Sequence, residues 1–375
     1  MPSRSLVDPN VAGLTDLPQI VEVVRDASRR LPLLARPDLT YLFWESTLRC
    51  NLKCAHCGSR CEPGRVDPEL TRDEVLGILD TIAQDFDATR IFVSITGGEP
   101  LLRPDLVEVV AHMTSLGMRS CIVTNGTLLD AERASQLFDA GMRTISVSID
   151  GLQAEHEIMR GKGSWARALS AITLARKAGF PVVEAITCVR PSNLTSLPAI
   201  ERAVRDAGAV LWRLITLDRM GRLEGDADPA MWLDPWQVRT LLDFIERRRR
   251  ELAAAGDPFG VQFSCGGFLG PRRELKVRSN DGQCFAGLCV ASILSDGNVS
   301  ACPSLPRSWA QGSARRERFS SIWHNKFGAF RDASWRRSGI CADCSWFKLC
   351  LGGGLHERLA QPDSFCWLDR QRDPV

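Results

Sequence analysis

No apolar run in this sequence approaches the ~20 residues that a membrane-spanning helix needs. The opening segment MPSRSLVDPNVAG also lacks the apolar stretch of a secretory signal. The expectation is a soluble, cytoplasmic protein with no membrane partner. An excess of one charge is missing too, since 47 Lys and Arg against 45 Asp and Glu leave a formal net charge of +2. A nearly neutral chain argues against a nucleic-acid partner and against an acidic tail. Tyrosine occurs once, at Tyr41, which argues against a relay of tyrosyl radicals. Length and apolar content are not lacking. At 375 residues and 44% hydrophobic, the chain can bury a sizeable core, with about two domains as the prior.

Cysteine is abundant and clustered. Of 14 cysteines, Cys50, Cys54, Cys57 and Cys61 fall close together, and eight more lie from Cys265 to Cys366. In a reducing compartment such clusters read as metal ligands or redox centres rather than disulfides. Cys121 and Cys188 lie inside predicted strands and read as core thiols, and Cys61 as a loop thiol.

From residue 41 to about 256, short β-like runs alternate with amphipathic helical stretches. The strands are expected at 41–48, 90–96, 119–124, 143–149, 182–189 and 210–217, rich in Val and Ile as in a parallel sheet buried on both faces. Thr71 with Glu74 forms a capping-box pattern ahead of Val75, Ile78, Leu79 and Ile82. Asp234-Pro235 makes an N-cap and N1 pair. Residues 1–40 form an extension with one short helix expected near 18–30. After 256 the regular periodicity fades into a linker at 257–280, then a cysteine-rich segment at 281–375. Within that segment 291–302 reads as a hairpin turning at Asp296-Gly297.

Cys50-x3-Cys54-x2-Cys57 directly follows the first predicted strand. Three thiolates at this spacing can hold three corners of a cubane iron–sulfur cluster and leave one iron open. The alternative is a zinc site drawing on Cys54, His56 or Cys57, although structural zinc takes four ligands and more often uses paired Cys-x2-Cys knuckles.

The run resembles the signature of the radical S-adenosylmethionine (SAM) superfamily, and further pieces follow in order. These are Thr96-Gly97-Gly98-Glu99-Pro100, Thr124-Asn125-Gly126, Ser146 to Gly151, and Arg160-Gly161. The resemblance implies an α/β fold, a partial (β/α)6 TIM-like barrel, in which Cys50, Cys54 and Cys57 bind a [4Fe–4S] cluster. It further implies that Gly97 and Gly98 let the backbone approach the SAM methionine and that Glu99 accepts from its ammonium. Asn125, Ser148 and Asp150 would make polar contacts to SAM, Arg160 would meet its carboxylate, and His56 would pack near the adenine. The implied chemistry is reductive cleavage of S-adenosyl-L-methionine to a 5′-deoxyadenosyl radical, which abstracts hydrogen from a substrate.

The C-terminal cysteines resemble the SPASM extension of that superfamily, which holds two auxiliary [4Fe–4S] clusters, three clusters in all. By resemblance, Cys341, Cys344, Cys350 and Cys366 ligate one, and Cys284, Cys289 and Cys302 the other. The family's further cysteine is replaced here by Gly354, so the latter cluster has an open iron or takes Cys265. Proteins of this kind most often modify a ribosomally made peptide or protein. The alternative substrates are a small molecule or a tetrapyrrole, and a non-catalytic metal-binding scaffold is the reading from another class. An electron donor such as flavodoxin or ferredoxin is implied. Pro303 replaces the acid found in relatives that oxidise serine or cysteine side chains, and a 40-residue extension is too short for a leader-peptide domain. Arg247 to Arg250 and the group Arg315, Arg316 and Arg318 read as surface charge.

Overall fold

The computed structural model describes residues 30–225, 228–264, 266–279, 284–360, 362 and 366–371, together with Val21, Val24, Arg25 and Ser28. Those four positions are helical, as is Arg30–Ala35; the rest of the helix expected near 18–30 lies outside the described residues.

Seven parallel strands carry the molecule: β1 (Tyr41–Glu45), β2 (Phe92–Thr96), β3 (Arg119–Thr124), β4 (Thr144–Ser148), β5 (Val182–Val189), β6 (Leu211–Thr216) and β7 (Gly260–Phe263). Each pairs parallel with its predecessor, which obliges every connection to cross back over one face. The crossings use α1 (Arg72–Asp85), α2 (Leu106–Ser115), α3 (Ala131–Asp139), α4 (Gln153–Arg160), α5 (Ser164–Lys177), α6 (Leu197–Ala207) and α7 (Pro235–Ala255). Both expected N-caps form. Thr71 and Glu74 make a reciprocal capping box on α1, and Asp234 does the same with Gln237 on α7. The Val75, Ile78, Leu79 and Ile82 face of α1 is buried.

The six expected strands are present, two with the expected bounds and three with ends shifted by a residue or two. The first stops at Glu45, because residues 46–49 leave β1 to meet the loop after β2: the Ser46 amide donates to the Thr96 carbonyl at 2.8 Å, and the Gly98 amide to the Thr47 carbonyl at 2.7 Å. A seventh strand, β7, lies within 257–280, where composition suggested only a linker. Four residues beginning with Gly260 are too few to show a period.

The two sheet faces differ in chemistry. Register places Leu42, Val93, Ile122, Ile145, Val183 and Trp212 on the helix-covered side. Alternation then sends Ser94, Cys121, Ser146, Glu184 and Arg213 inward. This inner face is not the apolar layer that Val/Ile-rich strands suggest. Arg213 and Ser146 both donate to the Glu184 carboxylate, each at 2.6 Å, and the Cys121 thiol lies 3.5 Å from the Ser94 hydroxyl. Cys121 and Cys188 are buried as expected, but they face the barrel interior rather than the helix-packed core.

The hairpin forms from β8 (Val290–Ile293) and β9 (Asn298–Ser300), with Gly297 at φ 85° in the turn. It is not separate from the barrel. β8 pairs parallel with β1, and β10 (Gly312–Ser313) adds beyond β9, so one open ten-stranded sheet runs from β10 to β7. Buried Glu45 seals the junction by accepting from the Ser295 amide at 3.1 Å and from Arg307. The arginines expected on the surface also join segments. Arg315 pairs with Glu74 (3.1 Å) and Arg318 with Asp85 (2.8 Å), both on α1. Arg248 pairs with Glu201 on α6 (2.7 Å), and Arg249 donates to the Val261 carbonyl of β7 (2.9 Å).

Candidate functional site

The cysteine loop after β1 is held from three sides at the C-terminal ends of the strands. The Ala55 amide donates to the Met159 carbonyl near the end of α4 (2.8 Å). Arg222, on the loop after β6, donates to the carbonyls of Cys54 (2.9 Å) and Cys61 (2.7 Å), while its amide reaches the Cys57 carbonyl (3.1 Å). From the third side come Gly97 and Gly98. A Cβ on Gly98 would lie 2.0 Å from the Arg49 carbonyl oxygen, and one on Gly97 2.2 Å from that of Thr47. These glycines are needed first for the close approach of the loop that carries the cysteines, and room for a ligand comes second.

Each of the three thiols meets a donor. Cys50 receives the Leu52 amide at 3.4 Å, with Asn125 Nδ2 at 3.9 Å. Arg160 Nη1 stands 4.0 Å from Cys54 Sγ, and the Cys61 amide donates to Cys57 Sγ at 3.3 Å. Cys61 is thus a loop thiol that acts on its neighbour, because its S–H hydrogen bond pulls the Cys57 thiol down while its own is pushed up. Burial pushes Cys50 up to about 11. Three sulfurs approached by N–H donors and a guanidinium suit thiolate ligands of a cluster, whose charge such donors stabilise. A zinc ion would need a fourth ligand. His56, the histidine of the loop, instead places Nε2 on Asp150, 3.2 Å from Oδ2.

Glu99 is fully buried. Its carboxylate accepts from the Thr124 hydroxyl (2.7 Å) and from the amides of Asn125 (2.8 Å) and Leu101 (3.2 Å). Burial pushes this carboxyl up against those three bonds. Glu99 therefore braces the end of β3, and only its remaining lone pairs are left for an ammonium. Asn125 in turn donates to Asn51 Oδ1 at 2.9 Å, next to Cys50.

At the end of β4, Asp150 is the hub of a second network. Arg160 Nε donates to its Oδ2 at 2.5 Å, and the Cys188 amide to its Oδ1 at 2.9 Å. Burial works to raise this carboxyl, but Arg160 and His56 outweigh it and hold it well below the usual carboxylate range. Arg160, expected to meet a SAM carboxylate, is thus already ion-paired. Beneath the pair, His156 Nδ1 accepts from the Asp150 amide (3.0 Å), and burial lowers its pKa to about 4, which leaves the ring neutral. His56 Nδ1 is buried with no partner among the described residues. The Ser148 side chain, 8% exposed at the end of β4, makes no side-chain hydrogen bond with the described residues. An orphaned imidazole nitrogen and an unengaged hydroxyl beside three thiols fit a polar ligand at this spot.

Four thiols meet in the C-terminal segment. Cys341, Cys344, Cys350 and Cys366 line one cavity of about 290 Å³, walled in part by Phe268 and Trp346. The backbone turns left-handed through Leu351, Gly352 and Gly353, which aims the Gly353 amide at Cys350 Sγ (3.1 Å). Arg358 Nη1 lies 3.5 Å from Cys341 Sγ. Cys289 and Cys302 flank the open end of the β8–β9 hairpin, since the register brings Ser292 opposite Ser300. Cys284 precedes them and bears electrostatically on Cys289. Cys265 lies outside the described residues; its neighbour Gly267 packs against Gly353 and Gly354.

The comparisons with known proteins agree with this geometry. The sequence model of the radical SAM superfamily matches residues 44–202, and that of the SPASM iron–sulfur cluster-binding domain matches 284–345. The AdoMet-dependent heme synthase of Methanosarcina barkeri is 31% identical over 82% of this chain and 89% of its own. The chain belongs to the radical SAM superfamily. The mycofactocin maturase MftC of Mycobacterium tuberculosis is 30% identical over 83% of this chain and 77% of its own. A solved structure of anSMEcpe with bound AdoMet and the Cp18Cys peptide superposes with a TM-score of 0.69, covering 89% of this chain and 94% of that one at 20% identity, a likeness of fold. This radical SAM/SPASM enzyme has, among its described residues, no helix long and apolar enough to cross a membrane.

Three supports of the site were not foreseen from sequence: Arg222, the inward Cys188, and the neutral His156. The i, i+4 spacing of His156 and Arg160 on α4 was a visible signal. For Arg222, 161 residues from Cys61, no local pattern exists.

Proposed function

We propose that Cys50, Cys54 and Cys57 bind a [4Fe–4S] cluster with an open iron for S-adenosyl-L-methionine, and that the C-terminal cysteines bind two more clusters. Cys341, Cys344, Cys350 and Cys366 hold one, and Cys284, Cys289 and Cys302 hold the other with Cys265. When bound, the first cluster and SAM supply a 5′-deoxyadenosyl radical able to take hydrogen from an unactivated C–H bond. The observation that carries this reading is the set of three donor-approached thiols beside an orphaned His56 nitrogen. The chain's own part is placement. Asp150, held anionic, fixes His56 and Arg160 beside Cys54. Glu99 fixes Asn125 against Cys50. Ser148 and Asn125 offer polar contacts to the ligand. A flavodoxin or ferredoxin supplies the electron.

The substrate we infer is a peptide or protein that the enzyme modifies. Support comes from the 30% identical maturase and from the size of the cavity at the ends of β5 and β6. That cavity holds about 210 Å³ between Trp232, Trp367, Arg219 and Arg370, smaller than sites that enclose drug-sized molecules but enough for one amino-acid side chain. A tetrapyrrole is the second reading, favoured by the 31% identical heme synthase. Anaerobic turnover with SAM and dithionite separates them. A mass change in a candidate peptide, with an iron porphyrin unchanged, supports the first; the converse overturns it.

A further inference from the structure

Asp218, just beyond β6, meets His356 and Glu357 of the helix Leu355–Ala360, and their ligand atoms lie within 4.8 Å of one another. His356 Nε2 is 3.3 Å from Asp218 Oδ2. Glu357 is 0% exposed. Its Oε1 accepts from the Trp367 indole N–H at 2.5 Å, with Arg370 at 3.8 Å, but its Oε2 is buried without a partner among the described residues. A carboxylate oxygen buried in this state costs free energy unless something positive meets it. Gly354 leaves the space. A Cβ there would stand 2.8 Å from Glu357 Oε2 and 3.3 Å from His356 Cε1, so the free oxygen and the imidazole share one side.

We propose that Asp218, His356 and Glu357 form a divalent-cation site, separate from the cysteine centres, that ties the end of β6 to the C-terminal segment. An ion with bonds of about 2.1 Å sets adjacent ligands roughly 3.0 to 3.4 Å apart in octahedral or tetrahedral coordination, and the Asp218–His356 separation falls in that range. Two carboxylates and one imidazole, with no thiolate, select a hard or borderline ion such as Mn²⁺ over one that prefers sulfur. The site does not depend on the substrate assignment. It also gives Gly354 a reason of its own, because any side chain at 354, cysteine included, would press on Glu357 and His356.

Mn²⁺ is the probe, because it disfavours thiolates and its free six-line electron paramagnetic resonance signal can be counted. Cluster-loaded enzyme, treated with a chelator and desalted, is titrated anaerobically with Mn²⁺. About one Mn²⁺ per chain should leave the free signal, and the melting temperature should rise as for any ligand that binds the folded state. Asp218→Asn and Glu357→Gln should weaken binding at least about tenfold at unchanged iron and sulfide content, and Gly354→Ala should weaken it too. No loss of free signal with the wild type, or equal loss with Glu357→Gln, overturns the proposal. Unchanged iron and sulfide content in the variants separates loss of the site from loss of the fold.

Discussion

The two cysteine-bearing regions are built on different principles. At the barrel end, Cys50, Cys54 and Cys57 sit on a loop clamped by Gly98, Met159 and Arg222 and backed by the Asp150–Arg160 pair. All of that rests on a parallel sheet whose helix-covered face is apolar and closely packed. In the C-terminal segment the cysteines are joined by turns and helices as short as Phe347–Cys350; Leu355 and Trp367 reach the main core, but Cys341 packs in a small apolar cluster whose buried members among the described residues are Cys341 and Phe347. Protein packing positions the first set, whereas on the proposed reading the second would draw part of its folding energy from bonds to a metal.

The largest effect expected from this contrast is on metal removal. Stripping iron and sulfide should expose the amides of 341–371 to hydrogen exchange, while those of β1 to β6 keep their protection. Equal loss in both regions would break the comparison. Next comes Asp150→Asn, which leaves Arg160 as a buried charge without its partner and should cost about 3–5 kcal/mol, read from chemical denaturation. The sign of the pH effect follows from the depressed carboxyl. Its contribution is fully present above the unfolded-state pKa of about 3.9 and is lost as pH falls through the lower folded value. The variant should therefore show a shallower loss of stability below about pH 4 than the wild type. Gly98→Ala, whose Cβ would meet the backbone of Arg49, should destabilise by about 1–3 kcal/mol and lower cluster occupancy at Cys50, Cys54 and Cys57 only, measured as iron per chain. The smallest effect belongs to Arg315→Ala, a partly exposed pair with Glu74 worth less than about 1 kcal/mol, read as a small shift in melting temperature.

What the sequence showed in advance was what is local. The Cys50-x3-Cys54-x2-Cys57 run, the capping box at Thr71, the Asp234 cap and the Asp296-Gly297 turn each declare themselves within a few residues. What it hid depends on distant partners. β8 reads as one arm of a hairpin, and nothing near Val290 says that its free edge meets β1. The inward polar layer was invisible because Glu184 is one acid in an apolar strand until Arg213 lies beside it. Gly97 and Gly98 looked like ligand-facing glycines, yet the atoms that exclude a Cβ belong to Thr47 and Arg49. Arg248 and Arg315 read as solvated charge because Glu201 and Glu74 are far away in sequence.

The most direct test is the release of 5′-deoxyadenosine from SAM by anaerobically reconstituted, dithionite-reduced enzyme. SAM-dependent 5′-deoxyadenosine should form with the wild type and fall to background when Cys50, Cys54 or Cys57 is changed to Ala, with the C-terminal clusters retained. A wild-type protein carrying its full iron and yielding no 5′-deoxyadenosine, or a Cys54→Ala protein yielding as much as the wild type, would contradict the account.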